Sequence, residues 1–364
     1  MEYRINRRTG DRISVLGLGA SSIAHAGETE GIETLRFAFE NGINYFDLAA
    51  GAAESFAYYG KAFEHDREKV FYQIHFGANY TTGAYGWTTD LEEVKRSIDW
   101  QLARLKTDHI DYGFIHCLDQ QPDLQTYCEN GVFDYLRALQ KQGVVRHLGL
   151  SSHVPQLVHT VLDSGVLDMV MFSINPAYDF HHGDYANGSA EERTRLYRRC
   201  EAEGTGISVM KPFAGGQLLD DKTSPFGKAL TEFQCLQYAL DKPGVLTVLP
   251  GVRGQEDLRR LLPFCAAPAA EKDYSVIGSF APGDAAGKCV YCNHCAPCPA
   301  GLDVGLINKY YDLARAGDEM AAGHYRKLEK HADACLHCGH CNSRCPFGVD
   351  QSARMEEIAR YFGA

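Results

Sequence analysis

Residues 91–117 read LEEVKRSIDWQLARLKTDHIDYGFIHC. The first fifteen place apolar side chains three and four apart, at Leu91, Val94, Ile98, Leu102 and Leu105, which is the stripe of a helix lying on a core. The run DYGFIHC (111–117) then turns β-rich and ends in a histidine and a cysteine. A helix followed closely by a short strand, with a chemically capable residue at the strand's end, is the unit from which the rest of the chain can be counted.

The unit recurs on both sides. Candidate strands are ISVLGLG (13–19), NYFDLA (44–49), VFYQIHF (70–76), DYGFIHC (111–117), VRHLGLSS (145–152), MVMFSIN (169–175), GISVMKP (206–212) and VLTVLPG (245–251), with helical patterns such as VFDYLRALQKQG (132–143) between them. Eight strand–helix units of roughly 30 residues predict an α/β fold closed as a parallel (β/α)8, or TIM-type, barrel over residues 1–275. An open doubly wound sheet is the alternative. In a barrel the carboxyl ends of the strands build the site. Those ends carry Asp47, His75, His116, Ser151 with Ser152 and His153, Asn175, Lys211, and Gly251 with Arg253 just beyond. Any one of them is explained by a helix cap or by water; all of them on one face predict a pocket.

The 13 cysteines are unevenly spread. Cys117, Cys128, Cys200, Cys235 and Cys265 stand singly and read as small buried residues. The other eight fall in CVYCNHCAPCP, with Cys289, Cys292, Cys295 and Cys298, and in CLHCGHCNSRCP, with Cys335, Cys338, Cys341 and Cys345. Three thiolates at two-residue spacing with a later Cys-Pro are the ligand run of paired [4Fe–4S] clusters, in which the later cysteine serves the other cluster. The expected sets are therefore Cys289, Cys292, Cys295 and Cys345 for one cluster, and Cys335, Cys338, Cys341 and Cys298 for the second. Structural zinc is the alternative, but zinc ribbons need neither the third cysteine in register nor the proline. VGLINKYYDLARAG (304–317), the stretch around HYRKLEKHADA and QSARMEEIARYF (351–362) read as helices. Residues 276–364 are thus expected to be a small all-α ferredoxin-like iron–sulfur domain, joined through the aperiodic stretch 271–288.

In order and spacing, ISVLGLGASS, INYFDLA, DYGFIHC, RHLGLSSH, GISVMKPFAGG and LTVLPGVRGQEDL resemble the aldo-keto reductase superfamily, and the cysteine runs resemble its branch with a helical ferredoxin module. The resemblance implies an NAD(P)H-dependent carbonyl reductase with an Asp–Tyr–Lys–His group. Asp47 and His116 match the aspartate and the histidine. Ala52 stands where the tyrosine is expected, and His75 where the lysine is expected. Tyr58 and Tyr59 fall in the following helix. The resemblance places nucleotide-binding roles on Ser151, Ser152, Asn175, Lys211, Gly251 and Arg253. The family's carboxamide-facing glutamine would fall at Met171, and its adenine-contacting pair at Arg260 and Leu261.

The leading expectation is an iron–sulfur oxidoreductase with a changed acid–base group, Asp47, His75 and His116, in which two [4Fe–4S] clusters exchange electrons with a small hydroxylated or carbonyl substrate or with NAD(P). A carboxylate beside an imidazole favours the imidazolium and makes a proton donor near neutral pH. The alternatives are a lyase or isomerase with structural clusters, and an electron-transfer subunit with a non-catalytic barrel and a redox partner protein. Asp and Glu exceed Lys and Arg by 11, which argues against nucleic acid and anionic membranes as partners. No apolar run approaches the roughly 20 residues of a membrane span, so the expected location is the cytoplasm; the oxygen sensitivity of the clusters adds the expectation of an anaerobic or low-oxygen metabolism. The histidine-rich stretch 178–185 is expected to be a loop over the site.

Overall fold

The computed structural model describes residues 1–49, 51–179, 185–279, 289, 295–315, 320–345 and 348–363. They divide into two units: Met1–Ile174 with Ala190–Pro212 and Glu232–Asp273, and Asn175–Ser189 with Phe213–Thr231 and Tyr274–Ala364.

In the first unit the strands in chain order are β1 (Tyr3–Ile5), β2 (Arg12–Ser14), β3 (Leu18–Gly19), β4 (Tyr45–Asp47), β5 (Phe71–Phe76), β6 (Ala78–Asn79), β7 (Gly86–Trp87), β8 (Ile110–Ile115), β9 (Val145–Ser152), β10 (Met169–Ser173), β11 (Gly206–Met210) and β12 (Val245–Val248). Eight of them run parallel in the order β3-β4-β5-β8-β9-β10-β11-β12. Parallel bridges from Leu16 to Val248 and from Gly19 to Gly251 bring the edges together, completing the (β/α)8 barrel. All eight expected strands are present, but the run 13–19 is not one strand. Arg12–Ser14 pairs antiparallel with Tyr3–Ile5, and the barrel strand begins only at Leu18. Gly17 lies at the break, where a Cβ would stand 2.8 Å from the Tyr45 carbonyl oxygen, so the chain passes there only as glycine.

The helix Leu91–Leu105 forms as its sequence predicts. The Asp90 carboxylate accepts the Glu93 N–H at 2.9 Å, and Val94, Ile98 and Leu105 are buried along one stripe. Inside the barrel, alternate residues point inward with a period of two. Ile13, Tyr45, Tyr112, Phe114, Met169, Met171 and Leu246 form the apolar floor. Above them comes a polar layer. Ser208 Oγ donates to Gln73 Oε1 at 3.0 Å although β5 and β11 are far apart in the sheet, so this bond crosses the barrel interior. The next inward positions lie at or beside the carboxyl ends of three neighbouring strands, where the chemistry lies.

The second unit is helical in its described part, with Val304–Arg315, Ala321–Arg326 and Gln351–Phe362 as its longer elements. The stretch 324–334, expected as one helix, divides into the end of Ala321–Arg326 and a short 3-10 turn at Ala332–Ala334. Tyr325 stacks on Phe362 at 4.0 Å between ring centres, and Asn308 Nδ2 donates to Gln351 Oε1 at 2.8 Å.

Candidate active site and cysteine pocket

Asp47 closes β4, His75 is the penultimate residue of β5, and His116 follows β8 directly. Because β4, β5 and β8 are neighbours, these inward positions meet. His75 Nε2 lies 2.7 Å from Asp47 Oδ1, and His75 Nδ1 lies 3.0 Å from His116 Nδ1. The two rings stand edge to face at 89°. Asp47, His75 and His116 are 4 %, 0 % and 3 % exposed, so they need their partners from the protein. Asp47 Oδ1 also accepts from Gln73 Nε2 at 2.9 Å and from the Ala49 N–H at 3.3 Å.

Gln73 sets the orientation of this corner. Its Oε1 accepts from Tyr45 Oη at 2.7 Å and from Ser208 Oγ, which turns its amide nitrogen toward Asp47 and Met171 Sδ. Burial pushes the Tyr45 and Tyr59 phenols well above their ordinary value, and the nearby Asp47 charge adds to the shift, so both stay neutral, Tyr45 donating to Gln73.

The far end of the chain was missed in the sequence. His116 Nε2 lies 2.9 Å from Tyr85 Oη. Tyr85 comes from the β6–β7 hairpin, which grows out of the barrel directly after β5. Ser97 Oγ holds the hairpin base through the Ala78 carbonyl at 2.8 Å, and Tyr80 packs on Phe56 with ring centres 4.8 Å apart. Ala84 bridges to Ala52, so Tyr85 follows a residue paired with the position where the resemblance expects a phenol. The hairpin had a signal in GANYTTGAYGW (77–87), two short runs around Thr-Thr-Gly, with Gly83 at φ +88°.

The residues expected to bind nucleotide have the following places in the structure. Ser151 and Ser152 are buried at the end of β9; Ser152 Oγ donates to Asp119 Oδ1 at 3.3 Å and accepts the Val154 N–H. Asp119 also takes His153 Nδ1 at 2.8 Å and the Cys117 thiol at 3.5 Å, a compact Cys–Asp–His group beside His116. Lys211 leaves β11 at φ +56° and is half-buried. Gly251 pairs with Gly19, while the Arg253 N–H and guanidinium both donate to Asp257 Oδ2. The Gln255 N–H donates to Glu30 Oε1 at 3.1 Å, so carboxylates take the amides where a phosphate would compete for them. Asn175 belongs to the second unit, where its Oδ1 accepts the Tyr178 N–H at 3.0 Å. His181 and His182 lie outside the described residues, as does Cys292.

In the second unit, Cys298, Cys335, Cys338 and Cys341 line one pocket, with Leu302, Val304 and Met355 among its walls. The His337 N–H donates to Cys335 Sγ at 3.4 Å, and Gln351 Nε2 to Cys289 Sγ at 3.5 Å. Four thiols gathered from both runs against apolar walls, with a backbone N–H on the Cys335 sulfur, are a donor set suited to an iron–sulfur cluster.

A closed parallel barrel with a polar mouth, joined to a cysteine-rich helical unit, defines an enzyme scaffold carrying an iron–sulfur module. The chain belongs to the aldo/keto reductase family, whose profile matches residues 15–234, and a 4Fe-4S dicluster domain profile matches residues 285–349. It is 26% identical over 271 residues to the uncharacterized oxidoreductase YqkF of Bacillus subtilis, covering 68% of this chain and 85% of that protein. It is 25% identical over 287 residues to L-galactose dehydrogenase of Arabidopsis thaliana, covering 69% and 84%. The solved aldo-keto reductase AKR11C1 of Bacillus halodurans, in its holo form, shares the fold with a TM-score of 0.61 at 22% identity, over 77% of this chain and 96% of that one. The protein is an oxidoreductase of this family with an iron–sulfur domain. No described helix is long and apolar enough to cross a membrane.

Proposed function

We propose that this enzyme moves protons at the barrel mouth through Asp47, His75 and His116, on a small carbonyl or hydroxylated substrate whose electrons are exchanged with two [4Fe–4S] clusters. The observation that carries the reading is the unbroken Asp47–His75–His116 hydrogen-bond chain at the ends of three adjacent strands. Buried polar groups joined in this way are costly to assemble without use, and imidazoles are the side chains suited to proton transfer near neutral pH. The name of the plant relative, a dehydrogenase of L-galactose, supports a hydroxylated substrate.

The cluster ligands we assign are Cys335, Cys338, Cys341 and Cys298 for one cluster, supported by their common pocket, and Cys289, Cys292, Cys295 and Cys345 for the other. Bound clusters supply electrons one at a time; the barrel residues bind and orient the substrate and supply protons. We divide the chain functionally at 275/276, with a redox module after the barrel.

A second reading, direct hydride transfer from NAD(P)H held by Ser151, Ser152, Asn175, Lys211, Gly251 and Arg253, is favoured by family membership. The carboxylates of Glu30 and Asp257 on the amides near Arg253 weigh against it.

The test is an anaerobic preparation with iron and sulfide quantified, about eight of each per chain for two [4Fe–4S] clusters. It is then mixed with NADH, NADPH or a panel of small aldehydes, ketones and polyols while cluster absorbance is followed. Bleaching or reoxidation of the clusters by a panel member supports the proposal. Nucleotide oxidation by a carbonyl with the clusters unchanged would favour hydride transfer. Turnover of a polyol without any redox change would mark a lyase or isomerase, and response only to another protein would mark an electron-transfer subunit.

A further inference from the structure

Four side chains form one continuous line: Asp47 Oδ1 to His75 Nε2 at 2.7 Å, His75 Nδ1 to His116 Nδ1 at 3.0 Å, and His116 Nε2 to Tyr85 Oη at 2.9 Å. Three members are buried, and Tyr85 alone is half-exposed. Each contact joins ring nitrogens or oxygens, so each needs one proton between its two atoms, and the choice made at one contact dictates the choice at the next. We propose that these residues form a proton relay with two hydrogen-bond senses, and that Tyr85 is the group that hands the proton to the substrate. The inference rests on the acid–base role given above to the barrel mouth and adds the terminal donor and its switch.

The two senses follow from valence. When His75 is neutral, its Nε2–H donates to Asp47 and its Nδ1 must accept. His116 then carries its proton on Nδ1 and gives it to His75, so His116 Nε2 is a lone pair that holds the Tyr85 O–H. In this state the phenol is turned into the protein. When one proton is added to make His75 an imidazolium beside the Asp47 carboxylate, its Nδ1–H donates to His116 Nδ1. His116 becomes the Nε2–H tautomer and donates to Tyr85 Oη, which turns the phenolic O–H outward.

Proton delivery is the conversion of the second state into the first. The Tyr85 O–H bond breaks as the substrate oxygen is protonated; Tyr85 Oη takes the His116 Nε2 proton, His116 Nδ1 takes the His75 Nδ1 proton, and His75 is left neutral. One proton leaves the chain and no electrons move within it; the electrons for reduction come from the redox step that the relay serves. The reverse sequence takes a proton from an alcohol.

The anchoring suits this role. Gln73 is fixed by Tyr45 and Ser208 so that its N–H faces Asp47, which keeps Oδ1 an acceptor. The hairpin is pinned at its base by Ser97 and near its tip by the Ala52–Ala84 bridge. Among the described residues, the ionisable groups facing the His75–Asp47 pair include His116 from the end of β8, Tyr45 on β4 and Tyr59 from the helix Ser55–Ala62, and both phenols stay neutral because burial raises them.

The experiment uses the full-length, cluster-loaded protein in the oxidised state, without substrate, labelled with 15N in the histidine rings. Ring nitrogens are read by long-range 1H–15N correlation across a pH titration, with Tyr85→Phe and His116→Gln used for assignment. We expect His75 to become doubly protonated while His116 stays neutral and exchanges its protonated nitrogen from Nδ1 to Nε2 in the same step. In Tyr85→Phe, the midpoint of this coupled step should shift, because the phenol contributes to both states. His116 keeping one tautomer throughout, or ionising in place of His75, overturns the relay. A coupled step unaffected by Tyr85→Phe overturns the role of Tyr85. Since no substrate is present, a silent substrate panel leaves this result intact, and loss of the switch leaves the electron-transfer reading to be judged by the panel.

Discussion

At Asp47 a single carboxylate oxygen gathers His75, Gln73 and the Ala49 N–H. Asp47→Asn presents an amide where His75 needs an acceptor, so the imidazole loses the charge that stabilises its protonated form. Turnover of whichever panel compound proves active should fall about 100- to 10,000-fold, the range for loss of general acid–base catalysis, with His75→Ala falling as far. Full activity in both variants, measured as initial rates, would exclude the constellation. A milder effect is expected at Ser208, which acts on Asp47 through Gln73 and also lies against the Tyr45 hydroxyl. Ser208→Ala should leave the fold intact and lower kcat by less than Asp47→Asn, because the Tyr45 hydroxyl still holds Gln73.

At the scale of elements, β5, β8 and β9 are tied together near their starts by the buried Asp111. Its carboxylate accepts Arg67 Nη2 at 2.7 Å, Arg146 Nη1 at 2.9 Å and the Tyr72 N–H at 2.9 Å. Asp111→Ala takes the carboxylate from the largely covered Arg67 guanidinium and strands the buried Tyr72 N–H, and should cost about 3 kcal/mol in denaturant unfolding. The β1–β2 hairpin has an acid-sensitive link. Burial pushes the Asp11 carboxyl up, but hydrogen bonds from His147, Tyr112 and Thr9 outweigh this and hold it below the ordinary range. Its folded value is therefore the lower one. Its stabilisation is complete above the unfolded value and is lost as pH falls through the folded value. Asp11→Asn should flatten the acid limb of the stability–pH curve, read from thermal unfolding at a series of pH values, while changing its neutral part by a constant amount. Packing between helices is similarly exacting: at Gly60 a Cβ would stand 2.2 Å from the Arg104 carbonyl oxygen. Gly60→Ala must push the helix Ser55–Ala62 away from Leu91–Leu105, at about 1–3 kcal/mol for overpacking.

For the whole molecule, the two units rest on different forces. The barrel has a large apolar interior, whereas the helical unit has a short aromatic core and a set of thiols that metal would bind together. Removing iron with a chelator under oxidising conditions should melt the helical unit while barrel signals persist, giving two separate unfolding transitions by circular dichroism. Cys298→Ala should disturb the cluster held by the second cysteine run and spare the other, which electron paramagnetic resonance of the reduced protein would separate. Much of this organisation was legible in the chain, because hydrophobic period and ligand spacing are local properties. Alternating side chains in runs such as VFYQIHF set His75 on the inward face, and the x2 spacing of the cysteines marked a metal module. The break at Gly17 was not legible, since an unbroken apolar run conceals a change of partner from β1 to the barrel. Tyr85 was passed over because its hairpin is polar and short, and its partner His116 lies 31 residues away. The sequence by itself determined the barrel, its inward-facing Asp47, His75 and His116, and the cysteine-rich module, because periodicity and spacing are written residue by residue. Only the tertiary structure decided that the two histidine rings meet at 3.0 Å, that Ser208 fixes Gln73 beside Asp47 from across the barrel, and that Ala84 pairs with Ala52 to bring Tyr85 to His116, because those contacts exist only once the strands have paired and the sheet has closed.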